Sequence, residues 1–176
     1  MRIIGGKFKG RKLNAPFLKS TRPTTDFARE SLFNLLQTRF DVEGIEILDL
    51  FCGTGAVAFE FLSRGAKSAV CVDMDFKGLQ FIRETSRELK VEARVYRGDA
   101  LKYLSATKEK FDLIFTDPPY ELEDLPKIPE LVFQHQLLKP GGILIVEHGK
   151  KTDLSAHRNF EEHRHYGKVN FSFFKA

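Results

Sequence analysis

The chain alternates short apolar runs with longer amphipathic stretches. Residues 45–50, 68–72, 92–96, 111–116 and 143–146 are runs of strand length, apolar or alternating. Between them, residues 56–63, 76–89 and 128–137 repeat their apolar positions at helical spacing, and Gly65 closes the first of these helices. A strand, a turn and a helix repeated in this way predict a parallel sheet with helices on both faces, an α/β, Rossmann-like architecture. Upstream, Ala28, Leu32, Leu35 and Leu36 give one apolar helix face that ends near Phe40, before Gly44. Thr24 is the expected N-cap of that helix, and Asp26 falls in its first turn, where the dipole favours a negative charge. The tail changes rhythm. Residues 157–165 and 168–174 flank Tyr166-Gly167 and predict an antiparallel hairpin. Residues 2–14 alternate loosely around Gly5-Gly6 and Gly10, which predicts a small N-terminal β-hairpin. Lys139-Pro-Gly-Gly142 reads as a turn into the fifth strand.

The length, 176 residues, suits one domain with a sizeable core. A hydrophobic content of 42% and a charged content of 30% are those of a globular chain. No apolar run approaches the roughly 18 residues of a membrane span, and the N-terminus carries no apolar signal segment, so a cytoplasmic protein with no membrane partner is expected. Cys52 and Cys71 lie 19 apart without metal-ligand spacing, which predicts free thiols, with Cys71 as core. His148, His157, His163 and His165 have no cysteine beside them and are expected to bind no metal.

Charge is uneven. Residues 1–22 carry seven Lys or Arg and no acid, leaving 21 basic against 24 acidic residues in the rest. A basic arm on a mildly acidic body points to a polyanionic partner. Arg2, Lys7, Lys9, Arg11, Lys12 and Arg22 are the candidate contacts. Phe8 and Phe17 lie among them, to stack on bases or to anchor the arm to the core.

Two stretches carry the candidate chemistry. In Asp49-Leu-Phe-Cys-Gly-Thr-Gly55-Ala, two glycines between a strand and a helix let main chain approach a ligand closely. Gly53-x-Gly55-x-x-Ala58 with Asp73 about 20 residues on also fits a dinucleotide fingerprint, which keeps a nicotinamide or flavin oxidoreductase as a rival. Asp49 would repel a pyrophosphate and suits a cationic amine. Asp49, Asp73, Asp99 and Asp117 fall at the ends of successive strands, the ligand-binding edge of such a sheet. Four acids there favour a ligand with a positive charge, amines and a ribose, S-adenosylmethionine. Cys52, Gly53, Gly55, Met74 and Ala100 complete the candidate cofactor-binding set. The second stretch is Phe111-Asp-Leu-Ile-Phe-Thr-Asp-Pro-Pro-Tyr120. Its prolines stop a buried strand and leave a stiff loop with one carboxylate, free carbonyls and one ring. Asp117 and the Pro118 carbonyl would accept two hydrogen bonds from a flat amine while Tyr120 covers the amine's ring face.

These residues resemble the class I S-adenosylmethionine-dependent methyltransferases. Within that class the chain resembles the RsmD family of bacterial guanine-N2 methyltransferases of small-subunit (16S) ribosomal RNA. The resemblance rests on Arg2-Ile-Ile-Gly-Gly-Lys-Phe-Lys-Gly-Arg-Lys-Leu13, Arg22-Pro-Thr-Thr-Asp26, Arg29-Glu-Ser-Leu-Phe-Asn34, Leu48-Asp-Leu-Phe-Cys-Gly-Thr-Gly-Ala56, Leu62-Ser-Arg-Gly-Ala66 and Asp117-Pro-Pro-Tyr120. It implies a seven-stranded sheet with an antiparallel last strand. It also implies that Gly53 and Gly55 line the methionine part of the cofactor, Asp73 the ribose and Asp99 the adenine. The expected organisation is a single methyltransferase domain, with 1–22 as a basic extension and 45–176 as the catalytic core. The expected substrate is ribosomal RNA, naked or in a small-subunit assembly particle, and the expected state a monomer. A methyltransferase acting on adenine N6, or a non-catalytic RNA-binding module, remains the alternative.

Overall fold

The computed structural model describes residues 1–19 and 24–176. Its elements are, in chain order, α1 (Asp26–Gln37), β1 (Glu46–Leu50), α2 (Ala56–Ser63), β2 (Ser68–Asp73), α3 (Phe76–Leu89), β3 (Ala93–Arg97), α4 (Ala100–Ala106), β4 (Phe111–Thr116), α5 (Lys127–Gln134), β5 (Leu138–His148), β6 (Phe160–Tyr166) and β7 (Val169–Lys175). Seven strands form one sheet in the order β3-β2-β1-β4-β5-β7-β6. The neighbours from β3 to β5 are parallel, and β7 runs antiparallel between β5 and β6. This is the expected Rossmann-like sheet.

Alternation along each strand builds two apolar layers. Ile47, Cys71, Leu113, Phe115 and Phe171 point to the layer that holds α1, α2 and α3. Leu48, Val70, Val72, Ile114, Val146 and Phe174 point to the layer of α4 and α5. Strands covered on both sides read as nearly continuous apolar runs, which is why they were plain in the sequence. Cys71 is fully buried core, as expected.

Several expected boundaries move. Thr25, not Thr24, caps α1, since its side chain accepts from the Ala28 N–H and its backbone is extended. The helix expected over 128–137 stops at Gln134, and β5 starts at Leu138. Lys139-Pro-Gly-Gly142 lies inside β5, where the register jumps between Phe111↔Leu138 and Leu113↔Ile143. The extra residues loop out as a bulge, so the proline needs no ladder partner. Helix α4 was not expected. It is seven residues long and buries only Ala100 and Leu104, too little to show a period.

The N-terminal segment doubles back antiparallel, with Ile3 N–H on the Arg11 carbonyl and Leu13 N–H on the Met1 carbonyl, but without the regular strands of the expected β-hairpin. Among the described residues it makes one antiparallel bridge, Arg2 with Lys12. Gly6 and Gly10, both at positive φ, turn the chain before a strand can form. Side chains of α2 hold it in place. The buried Glu60 carboxylate accepts from the N–H groups of Ile4 (2.8 Å) and Gly5 (2.9 Å), and Ser63 Oγ accepts from Phe8 N–H (3.0 Å). Arg64 and Arg29 lie 3.1 Å and 3.7 Å from the same carboxylate. A Cβ on Gly6 would stand 2.0 Å from the Ser63 carbonyl oxygen, so only glycine fits there. Removing Glu60 would strand the Ile4 and Gly5 amides and take one of two carboxylate charges from the buried Arg29, which keeps Asp26 at 2.9 Å, a loss of about 1–3 kcal/mol.

Candidate active site

Parallel strands bring their C-terminal ends to one edge, and the candidate groups collect there. After β1, Phe51 takes the left-handed conformation (φ 56°), followed by Gly53 (55°) and Gly55 (82°). Gly55 is the N-cap of α2 and offers no side chain to the helix's first turn, whose Ala58 N–H donates to the Asp49 carboxyl instead. A Cβ on Gly55 would approach Ile82 Cγ1 to 2.8 Å, and one on Gly78 would approach the Gly53 carbonyl oxygen to 2.4 Å. Helix α3 is thus seated directly on the glycine turn.

Asp49 is 2% exposed. Burial pushes its carboxyl up to about 8, against the Ala58 backbone hydrogen bond, with the Asp73 and Glu147 charges adding to the rise. Its Oδ2 is buried without a hydrogen-bond partner among the described residues. A buried carboxyl that spends one oxygen on the first turn of α2 and keeps the other unpartnered suits a ligand that brings a cationic donor. Asp73 spends its two oxygens on main chain, accepting from Gly53 N–H (2.8 Å) and Asp75 N–H (2.9 Å). It fixes the glycine turn to the end of β2. Cys52 contributes through its backbone, which bonds to Val72 and Gly55. Burial pushes its thiol well above the usual range, so it is no nucleophile. Met74 is exposed beside Phe76, and Arg97 reaches across from β3 to the Met74 carbonyl (3.2 Å). Asp99 caps α4 through Oδ1, accepting from Lys102 N–H, and Ala100 behind it is buried.

The second half of the site lies beside the first. Asp117 N–H donates to the Leu50 carbonyl (3.2 Å), which ties the proline loop to the main chain entering the glycine turn. Pro118 is buried and Pro119 exposed. Tyr120 donates its hydroxyl to Glu147 Oε1 (3.2 Å), and its ring lies on the Gly149 backbone, where a Cβ would stand 2.7 Å from Cδ2. Thr24 Oγ1 lies 3.4 Å from Asp117 Oδ2 and 3.3 Å from Glu147 Oε2. One hydroxyl from the start of α1 therefore touches both carboxylates. The site is a half-buried carboxylate and a clamped ring, next to a cradle for a cationic ligand. Such a pair can hold a planar amine in line with a donor.

The family model described as conserved hypothetical protein 95 matches residues 1–175. The chain belongs to this family. Among its relatives is YlbH of Bacillus subtilis (strain 168), to which an rRNA methyltransferase activity is ascribed. That protein is 41% identical over 159 residues, covering 88% of this chain and 85% of that one. The ribosomal RNA small subunit methyltransferase D of Escherichia coli (strain K12) is 35% identical over 148 residues, covering 84% and 74%. A solved structure of the Escherichia coli protein yhhF, described as a methyltransferase, superposes with a TM-score of 0.86 at 31% identity, covering 99% of this chain and 97% of that one. These findings set the chain in the RsmD family of class I methyltransferases that the sequence resembles.

In this family member the sequence missed Glu147 and Thr24. Glu147 is a fifth carboxylate at a strand end, and the rule that singled out the other four would have found it had β5 been carried one residue further. Arg22 lies outside the described residues. The remaining basic candidates are exposed. Arg2 pairs with Asp26 and Arg11 with Glu88. Phe8 packs against the core, whereas Phe17 is 86% exposed. Among the described residues no group of three or more His, Cys, Asp or Glu is placed to hold a metal, and no helix is long and apolar enough to cross a membrane.

Proposed function

We propose that this chain transfers a methyl group from S-adenosylmethionine to the exocyclic N2 of a guanine in small-subunit ribosomal RNA. The observation that carries this reading is the tie between the two loops, Asp117 N–H on the Leu50 carbonyl. It sets an amine-accepting carboxylate beside a cradle built for a cationic ligand.

The cradle fits the cofactor. Asp49 offers its unpartnered buried oxygen to the ammonium group, Gly53 and Gly55 leave room for the methionine part, and the positive N-terminal end of α2 favours its carboxylate. Asp73 and Asp99 stand towards the ribose and adenine, with Met74 and Ala100 beside them. When bound, the cofactor supplies an electrophilic methyl group on a sulfonium. Everything else falls to the protein. The guanine amine is a poor nucleophile because its lone pair is delocalised into the ring. Asp117 and the Pro118 carbonyl accept its two N–H bonds and favour the pyramidal geometry in which that lone pair is released. Tyr120, fixed by Glu147 and Gly149, presents its ring to the flipped base. Methylation makes the nitrogen acidic, so no separate base is needed beforehand, and the proton then passes to the Asp117 carboxylate that already accepts from it and on to solvent. Arg2, Lys7, Lys9, Arg11, Lys12 and Arg22 contact RNA phosphates. The chain works as a monomer in the cytoplasm.

The test is transfer of labelled methyl groups to small-subunit ribosomal RNA, with calorimetry of cofactor binding alongside. Transfer that depends on Asp117, with micromolar cofactor binding, is expected. Tight binding of a nicotinamide dinucleotide without binding of S-adenosylmethionine would overturn the reading.

A further inference from the structure

The basic N-terminal turn is docked at the wrong end of the molecule to hold the nucleotides next to the target. Its tip hangs on Ser63, at the C-terminal end of α2, while Gly55 at the other end of that helix lines the catalytic edge. Eight helical residues separate the two by about 12 Å. Arg11 lies further down still, paired with Glu88 near the end of α3. Arg2 does reach the first turn of α1, but there it is paired with Asp26, so a further surface is needed to meet the RNA at the mouth.

Such a surface exists on the β7 side of the pocket. Thr24, at the head of α1, touches Asp117 and Glu147, so the first turn of α1 rims the acceptor pocket. Phe27 in that turn is 62% exposed and stands edge-on to Tyr166, with ring centroids 6.5 Å apart. Tyr166 ends β6 on the same sheet edge, because His165 and His148 both pair with Asn170. Two strand spacings, about 10 Å, carry the surface from Glu147 to Tyr166. Lys150 and Lys151 follow β5 on this edge, and Lys168 sits in the β6–β7 turn. All three are exposed, and none makes an ion pair among the described residues. Of the nearby acids, Asp26 is offset by Arg2 and Arg29, and Asp153, two residues past Lys151, accepts from the Ser155 N–H and hydroxyl.

Resting on the RNA reading above, we propose that Phe27, with Tyr166 behind it, stacks on an unpaired base next to the target guanine, and that Lys150, Lys151 and Lys168 take the phosphates of that single-stranded segment. An exposed ring beside unpaired cations is the recognition chemistry of single-stranded RNA: every base has a face to stack, and its backbone a charge to neutralise. A duplex would present phosphates but no free base to Phe27.

The test measures affinity for a single-stranded RNA oligonucleotide by fluorescence, and the KM and kcat of methyl transfer to small-subunit ribosomal RNA. Phe27→Ala is expected to weaken RNA binding and raise the KM about tenfold, with a much smaller change in kcat and no loss of cofactor affinity. Phe27→Trp, which keeps a stacking face, should restore binding to within about twofold. Replacing Lys150, Lys151 and Lys168 by Gln should lower the slope of log affinity against log salt by about two. Unchanged RNA affinity in Phe27→Ala, or Trp as damaging as Ala, would overturn the proposal while wild-type methyl transfer leaves the proposed activity standing. Weakened binding in Phe27→Ala together with no methyl transfer by the wild type would support the rim and sink the activity. A defect confined to ribosomal particles and missing on naked RNA would point to a protein partner and overturn it too.

Discussion

The two halves of the site are made of different material. The cofactor half is built mostly from main chain: a glycine turn at positive φ, the start of α2 held by Asp49, and Asp73 spending both oxygens on backbone amides. The acceptor half is built from side chains: Asp117, Tyr120, Glu147 and Thr24 in one hydrogen-bonded group. Main chain holds a constant ligand well, because its geometry is fixed by the fold and its donors need no rotamer. Side chains can be exchanged one at a time, which suits the half that must match a particular base. The difference predicts that substitutions in one half leave the other intact.

The largest effect should follow from Asp117→Ala. Methyl transfer should fall by roughly 10²–10³, while cofactor affinity measured by calorimetry stays near wild type. Loss of both together would erase the division. Asp49→Asn should do the opposite, lowering cofactor affinity by about 10- to 100-fold through loss of a charge-assisted contact. It should also change the pH dependence of the free protein. The Asp49 carboxyl is raised from 3.8 to about 8 in the folded chain. The folded state therefore keeps a proton that the unfolded chain has released. This group's contribution is full below its unfolded value and is lost as pH rises towards 8. Asp49→Asn should remove that decline, so denaturant midpoints of variant and wild type should diverge between pH 5 and pH 8, in the variant's favour. Cofactor binding below pH 8 should release a proton, visible as a dependence of binding heat on buffer ionisation.

Smaller effects should come from the seat of Tyr120. A methyl group at Gly149 would press on the ring, so Gly149→Ala should cost about tenfold in kcat/KM with cofactor affinity unchanged. Tyr120→Phe removes the bond to Glu147 and should cost a few-fold, about 1 kcal/mol.

The same difference in material decided what the sequence disclosed. The glycine turn lies within seven residues of Asp49, and its acid partner Asp73 follows at one βα spacing, so local pattern sufficed. The Asp117 loop was legible because prolines after an apolar run can do little else. The rest of the acceptor half is assembled from segments some 90 and 120 residues apart, as Thr24 meets Asp117 and Glu147. No local period marks such a meeting. Thr24 passed for a helix cap because Thr25 beside it offers the same hydroxyl, and only backbone geometry separates them. Glu60 shows the same limit. It sits in an apolar helical run, and nothing nearby in sequence reveals the Ile4 and Gly5 amides it holds.

The most direct test of the central claim is the identity of the modified nucleoside. Small-subunit ribosomal RNA treated with this protein and labelled S-adenosylmethionine should be digested to nucleosides and analysed by mass spectrometry. Label in N2-methylguanosine, lost in Asp117→Ala, is the predicted result. Label in N6-methyladenosine, or full transfer by Asp117→Ala, would contradict the account.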